Sequence, residues 1–384
     1  MKTFDNFYDE AIALPNLYNA YNKAKQGKTD AIFLQFCENL HENLWRLHEE
    51  LASQTYQPSG YTVFYVDDYK RRRIMAPHFR DHVMQHALFN YLEQIYDSVF
   101  IYDSFACRKG KGTHKGFFRL KKAINKHSGR DYFMKCDVSK YFYSIDQYKL
   151  ISIIRKKIKD EKVLWLIEKL IGSHNEDEIP AHIPNPNHKE QRKGIPIGNL
   201  MSQLFANIYL NELDYFVKHK LRVKHYFRYV DDFVILAKDK NELHHLWKEI
   251  HSFAEQHFLK IEPRKTSINK ISFGVDFLGY VGFKRYTRVR TRNYKRFKAR
   301  LKIRINGYRC GEISLESLNS TFISYLGHLS HTNSDKIREN VKSEFIRFNV
   351  AAASSAGPLS AAGTGTMGRM PAPFARTSTM SRPM

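Results

Sequence analysis

Cysteine is scarce. The 384 residues hold four (Cys37, Cys107, Cys136, Cys310), far apart and with no C-x-x-C. That excludes a disulfide scaffold and a cysteine-type zinc site, and it fits a reducing compartment. No apolar run approaches the roughly 18 residues of a membrane span. The opening MKTFDNFYDEAIALPNLYNAY carries acids early and lacks an unbroken apolar stretch, so no secretory signal is expected. Acids are also in deficit: 39 Asp+Glu face 62 Lys+Arg, a formal charge of +23 with His neutral. A balance this basic points to nucleic acid, and less often to an anionic membrane. Apolar material is plentiful, with 42% hydrophobic residues, 27 Phe and 23 Tyr. A core can therefore form, and global disorder is excluded. The 18 histidines show neither H-E-x-x-H nor Cys/His ligand spacing. His244, His245 and His251 share one helical stretch and read as structural or surface groups.

The excess charge is spread along the chain. Residues 351–384 contain three Arg and no acid, which leaves +20 on residues 1–350. In that tail 25 of 34 residues are Ala, Ser, Gly, Thr or Pro, too little apolar surface to offset ordering entropy. It is expected to be a disordered, non-native extension. Before it, strands and helices intersperse without βαβ regularity, which predicts an α+β fold. Residues 31–54 place Phe33, Phe36, Leu40, Leu44, Leu47 and Leu51 at helical spacing. Residues 61–66 read as a strand followed by the basic turn DDYKRRR. Residues 78–100 read as a helix, 131–138 as a buried strand, 226–238 as a strand pair and 275–283 as a third strand region. Residues 290–304 and 315–329 form a basic helical end.

Acids interrupt the most apolar strands. Asp137 closes FMKCDV, and Asp231 and Asp232 divide RYV from FVIL. An unpaired buried carboxylate is costly, so paired acids here indicate either a hairpin tip in water or a bound cation. Hard ions such as Mg²⁺ take carboxylate oxygens and substrate phosphates, and two of them can serve phosphoryl transfer.

With these residues in view, RYVDDFVIL resembles the Y-x-D-D box of reverse transcriptases, through Tyr229, Val230, Asp231 and Asp232. KCDVSKYFYSID resembles the first catalytic motif of that family. GIPIGNLMSQLFANIYLNELD (194–214) resembles its loop-helix motif, YKRRRIMAPHFRDHVMQHAL (69–88) the triphosphate-holding segment, and FLGY (277–280) the primer grip. The order and spacing are similar to the family's over roughly residues 10–345. I-G-N-L-M-S-Q (197–203) and DSFACRKGKGTHKG (103–116) resemble the reverse transcriptases of diversity-generating retroelements, within the group II intron-like lineage.

The resemblance implies a right-hand polymerase. Residues 1–60 would be a helical extension, 61–136 fingers with part of the palm, and 137–283 palm with a finger insertion near 150–193. Residues 284–350 would be a basic helical thumb. It implies two Mg²⁺, with Mn²⁺ as a substitute, held by Asp137, Asp231, Asp232 and the main chain of Val138. Phe142 would be the steric gate against a 2′-hydroxyl, with Tyr141 its competitor. Lys70 and Arg72 would clamp the triphosphate, in competition with Arg71, Arg73 and Arg80. Ile197 and Gly198 would lie against the nascent base pair. An Ile at 197 cannot hydrogen-bond there, which is a physical route to low fidelity. Lys265 would protonate the leaving pyrophosphate, or else be a surface phosphate contact.

Arg108, Lys109, Lys111 and Lys115, with His114, would meet template phosphates. Gln203 would shape the helix that starts at Ile197 and Gly198 and would be among the nucleic-acid contacts. Leu278, Gly279 and Tyr280 would hold the primer end, although packing alone also explains them. Residues 284–304 carry eleven Lys or Arg and no acid, Lys295 and Arg296 among them, and would face an RNA–DNA hybrid or serve as a docking face.

In such a system the enzyme copies a template-repeat RNA with errors opposite adenine. Its implied partners are that RNA, dNTPs and a small basic accessory variability protein that forms an oligomer. Its location would be the cytoplasm of a bacterial or phage-infected cell, with no membrane partner. The alternatives are a reverse transcriptase of another bacterial class (antiphage defence or group II intron-like), a non-catalytic RNA-binding protein on the same scaffold, and an RNA-dependent RNA polymerase, which Phe142 disfavours.

Overall fold

The computed structural model describes residues 2–67, 71–173 and 192–355, with side chains to residue 346. The fold is α+β, and every pairing between its named strands is antiparallel. The chain divides into two units, Met1–Asn333 and Ser334–Met384. This boundary falls inside the stretch 284–350 expected to be a single thumb.

Four helices open the first unit: α1 (Tyr8–Ile12), α2 (Leu14–Ala24), α3 (Ala31–Glu38) and α4 (Leu40–Ala52). The helical pattern over 31–54 is thus two helices. Asn39, at φ −121° and ψ 46°, breaks the ladder between them. Strands β1 (Tyr61–Asp67) and β2 (Arg71–Pro77) then pair, with Arg72 opposite Val66 and Arg73 opposite Tyr65. Arg71–Arg73 therefore belong to a strand, where the charge run had predicted a turn. Cross-strand pairing with the aromatic, β-branched residues 61–66 overrides the local preference.

Next come α5 (Phe79–Asp97), α6 (Thr113–Ile124), β3 (Tyr132–Asp137) and α7 (Tyr141–Ser144), followed by α8 (Gln147–Arg155), α9 (Glu161–Gly172) and α10 (Leu200–Tyr215). The side chains of Asp146, Asp160 and Asn199 cap α8, α9 and α10 by accepting from first-turn N–H groups. Beyond a π-helical turn lie β4 (His225–Tyr229), β5 (Asp232–Ala237), α11 (Lys240–Gln256) and β6 (Ser267–Lys270). The unit closes with β7 (Val275–Phe277), β8 (Tyr280–Gly282), β9 (Thr287–Val289), α12 (Thr291–Arg309) and α13 (Leu315–Leu329). The second unit carries α14 (Asp335–Ser355), which continues five residues into the stretch expected to be disordered. Residues 356–384 lie outside the described residues.

The central sheet has the order β4-β5-β3-β6. Side chains alternate across it. Phe233, Ile235 and Ala237 of β5 join the larger core with Met134 and Cys136, while Val234 and Leu236 join a smaller core with Phe133, Phe117 and Phe277. Both faces are covered, which explains why β5 reads as one continuous apolar run. The three-stranded sheet β7-β8-β9 and α6 build the smaller core. Among the described residues no helix is long and apolar enough to cross a membrane.

One half-buried group in α5 sets a pH response. Burial, then the charges of His86 and Lys28, lowers the His82 pKa from 6.5 to about 4. The unfolded chain therefore takes up this proton first as pH falls below 6.5. Stability is expected to be unaffected above that pH and to decline towards pH 4, by up to about 1.4 kcal/mol per pH unit for this site. Thermal melts of wild type and His82→Gln between pH 7 and 4 check it, since the variant loses this part of the slope.

Candidate active site

The β4–β5 hairpin has a two-residue turn, because Tyr229 pairs with Asp232 and leaves Val230 and Asp231 at the tip. Val230 sits at φ 51°. A β-branched residue in this left-handed region is strained, and such strain persists only where surroundings enforce it. Next to the tip, Asp137 ends β3 in register with Asp232. Two like charges face each other across the strands, which destabilises the sheet unless cations intervene. Lys135 Nζ lies 3.3 Å from Asp232 Oδ2, and Lys265 Nζ hydrogen-bonds Asp137 Oδ1.

The chain delivers Lys265 by running residues 260–262 along the end of β3. Ser139 N–H donates to Lys260 O at 2.7 Å and Glu262 N–H to Asp137 O at 3.0 Å, and a 3₁₀ turn at Pro263–Lys265 follows. Val138 is buried, with its N–H donating to Asp231 O at 3.1 Å. Its backbone thus ties β3 to the hairpin tip.

Burial, then the Asp137 charge, raises the Asp231 pKa, while Lys265 and Arg72 pull it back. Burial pushes Asp232 up to about 6 against the pull of Lys135. Its Oδ1 is buried without a hydrogen-bond partner. Among the described residues no three Asp, Glu, His or Cys side chains are gathered as a metal-holding group. Asp137 and Asp232 instead turn to lysines. The chemistry of the set still suits a hard divalent cation: all donors are carboxylate oxygens, one of them an orphan, and their mutual repulsion calls for positive charge.

The second part of the site is the loop before α10. Ile197 O accepts from Met75 N–H of β2 at 2.7 Å. Gly198 has φ +109°, and a Cβ there would stand 2.6 Å from Ile74 Cγ2 and 3.3 Å from Met75 O. Only glycine permits this approach. The same loop meets α7, where Ile195 N–H donates to Phe142 O at 2.9 Å. Phe142 is half-buried. Tyr141 is fully buried and donates its hydroxyl to Ala206 O of α10, which makes it a core residue. Gln203 is exposed on a helix otherwise buried from Met201 to Leu210.

The basic candidates separate. Arg72 is exposed and its charge reaches Asp231. Arg71 stacks on Tyr65, 4.2 Å from the ring centroid. Arg80 is held by Glu50, Gln57 O and Ser59 and is structural. Lys70 lies outside the described residues.

Arg108 departs from its expected role as a template contact. Its side chain is 6% exposed, paired with Asp97 at 2.6 Å and bonded to Ile101 O and Ser104 O. It holds its own loop from inside. Lys111 donates to Tyr102 O at 2.8 Å and lies over the Tyr102 ring, and Lys115 donates to Gly110 O at 2.7 Å. Lys109 and His114 are exposed. Arg108→Ala is therefore expected to lower stability by about 2–3 kcal/mol, because it strands buried acceptors. Lys109→Ala should leave the melting point unchanged and reduce the salt dependence of RNA binding by about one unit of slope. Denaturant melts and binding isotherms at several salt concentrations check both.

Leu278 (φ 52°) and Gly279 (φ 91°) form the turn between β7 and β8, with Phe277 opposite Tyr280. Tyr280 is buried, stacked on His328 and bonded to its Nδ1 at 2.8 Å, so its side chain serves packing and only the turn is presented. Lys295 is exposed on α12, and Arg296 lines a cleft against Ser320, Thr321 and Ser324 of α13. The site also includes two residues that the sequence did not single out. Lys135 could have been found, since it stands two residues before Asp137 on the same strand face. Arg228 is fully buried against Asp214, fourteen residues back on α10, and bonds Val230 O, a partnership that no local motif marks.

Residues 60–282, more than half of the chain, match the family Reverse transcriptase (RNA-dependent DNA polymerase). The group II intron-encoded protein LtrA of Lactococcus lactis subsp. cremoris is 31% identical over 209 residues, 54% of this chain and 33% of that protein. Protein YkfC of Escherichia coli is 26% identical over 272 residues, 61% of this chain and 69% of that protein. Nuclear intron maturase 1, mitochondrial, of Arabidopsis thaliana is 24% identical over 300 residues, 55% of this chain and 42% of that protein. The chain thus spans about a third of the length of the group II intron-encoded relative. Taken with the carboxylates at the ends of β3 and the β4–β5 hairpin, the match over 60–282 places this chain in the reverse transcriptase (RNA-dependent DNA polymerase) family.

Proposed function

We propose that this chain is an RNA-directed DNA polymerase of fingers, palm and thumb, which adds dNTPs to a primer 3′-hydroxyl on an RNA template. The observation that carries the reading is the pairing of Asp137 with Asp232 next to the Asp231 turn, with the charge of Arg72 from β2 reaching Asp231. Asp137, Asp231, Asp232 and the Val138 main chain would hold two Mg²⁺, or Mn²⁺ in their place. When bound, such ions activate the attacking oxygen and stabilise the leaving one.

The protein groups supply the rest. Arg72 offers a guanidinium to the triphosphate, and Lys70 a point charge. Gly198 and Ile197 give a close, apolar surface to the base pair. Phe142, half-buried beside that loop, excludes a 2′-hydroxyl by shape. Lys265 holds a proton at Nζ next to Asp137 and serves as general acid to the pyrophosphate. Lys109, Lys111, Lys115, Gln203 and the Leu278–Gly279 turn position template and primer, and Lys295 and Arg296 the hybrid behind them.

The finer reading is an enzyme of a diversity-generating retroelement, with a template-repeat RNA and a small basic accessory protein oligomer as partners. Its support is I-G-N-L-M-S-Q at 197–203, where Ile197 cannot hydrogen-bond the nucleotide pair. A group II intron-like enzyme is the second reading, favoured by the likeness to a group II intron-encoded protein and to an intron maturase. Extension of a primed RNA of known sequence, followed by product sequencing, separates them. Errors concentrated opposite adenine support the first reading, and an error spectrum without that bias supports the second.

A further inference from the structure

We infer that Arg228 is a positioning residue that holds the Asp231 turn in its strained shape from below, an inference that rests on the polymerase reading of this site. The guanidinium is 0% exposed and so is its partner Asp214. Nε donates to Asp214 Oδ1 at 2.7 Å and the second terminal nitrogen to Oδ2 at 2.6 Å. The remaining nitrogen donates to Asn207 Oδ1 and to Val230 O, both at 3.1 Å. Tyr226 OH completes the cage by donating to Asp214 Oδ1 at 2.8 Å.

A buried ion pair of this kind adds little stability over an apolar pair of equal volume. What it adds here is direction. Val230 is a β-branched residue at φ 51°, one position before Asp231, and such a backbone relaxes unless it is restrained. The restraint on its carbonyl is Arg228. Asp214 and Asn207 lie two turns apart on α10, the helix that begins at the Gly198 loop. Asn207 Nδ2 also donates to Ala106 O at 3.0 Å, and the Arg228 main chain pairs with Asp103 O and Phe105 N–H. Arg228 therefore ties the carboxylate turn to α10 through its guanidinium and to the 103–105 segment through its main chain.

The test uses the full chain with Asp214→Leu plus Arg228→Met, which removes both charges and keeps the volume, and separately Arg228→Lys, which keeps the charge and loses the fork. Melting temperature, kcat and KM for dNTP, and Mn²⁺ affinity by electron paramagnetic resonance are measured for each. The double variant is expected to stay folded but melt several degrees below wild type, because Tyr226 OH, Asn207 Oδ1 and Val230 O each lose a buried partner. It is expected to lose about 30-fold in kcat with KM for dNTP nearly unchanged, and to bind Mn²⁺ about 10-fold more weakly. Arg228→Lys should not rescue either quantity. A double variant that keeps wild-type kcat and Mn²⁺ affinity overturns the inference, and so does a lysine variant that restores both. If wild type extends no primer, the polymerase reading fails, and the Mn²⁺ titration still decides whether Arg228 shapes the turn. A wild type that takes up no Mn²⁺ contradicts both.

Discussion

Asp231→Asn lowers primer extension by at least about 1,000-fold while the melting temperature stays level or rises by a few degrees. The rate loss follows from removing a charged oxygen donor at the point where phosphoryl transfer develops charge, a deficit of about 4 kcal/mol in transition-state stabilisation. The stability change has the opposite sign for a structural reason. Burial and the Asp137 charge already push this carboxyl towards its protonated form. An amide removes that repulsion and keeps the shape. Activity and stability moving in opposite directions is the signature of a group kept for function. If activity and melting temperature fell together, Asp231 would be an ordinary turn acid.

Gly198→Val is the second large effect. The new Cβ would meet Ile74 Cγ2 at 2.6 Å, at a φ of +109° that a β-branched residue does not adopt. Strain and overpacking together are expected to cost about 3 kcal/mol locally. The loop responds by leaving β2 and breaking the bond from Met75 N–H to Ile197 O. Because that bond joins the Arg72 strand to the loop, KM for dNTP should rise by about 10-fold or more and kcat fall with it. Steady-state kinetics on a primed RNA check this. An unchanged KM would remove the loop from the nucleotide site.

Much of this site was legible in the sequence because its chemistry violates local rules. Asp137, Asp231 and Asp232 stand out since apolar strands exclude carboxylates, and the structure sets Asp137 opposite Asp232 at strand ends with Asp231 in the adjoining turn. Gly198 stands out as a glycine at the start of an apolar helix. Helix α13 follows the pattern at Leu315–Leu329 because its apolar spacing is regular and Ser314 caps it. Other features depend on partners outside the local motif, on a neighbouring element. Arg108 looks like its basic neighbours until Asp97 and two carbonyls turn it inward. Arg71–Arg73 look like a turn until β1 pairs with them. The role of Arg228 requires Asp214, Asn207 and Val230 to meet, and nothing within the strand HYFRY foretells that. The split of 31–54 at Asn39 rests on one residue's dihedrals, finer than a periodicity argument resolves.

The most direct measurement is product formation on a primed RNA template by the full chain with Mg²⁺, supplied with dNTPs or with rNTPs, for wild type and for Asp231→Asn combined with Asp232→Asn. DNA extension from dNTPs by wild type, little from rNTPs, and none by the double variant is the predicted result. Absence of dNTP incorporation by wild type, or product that survives the double substitution, would contradict the account.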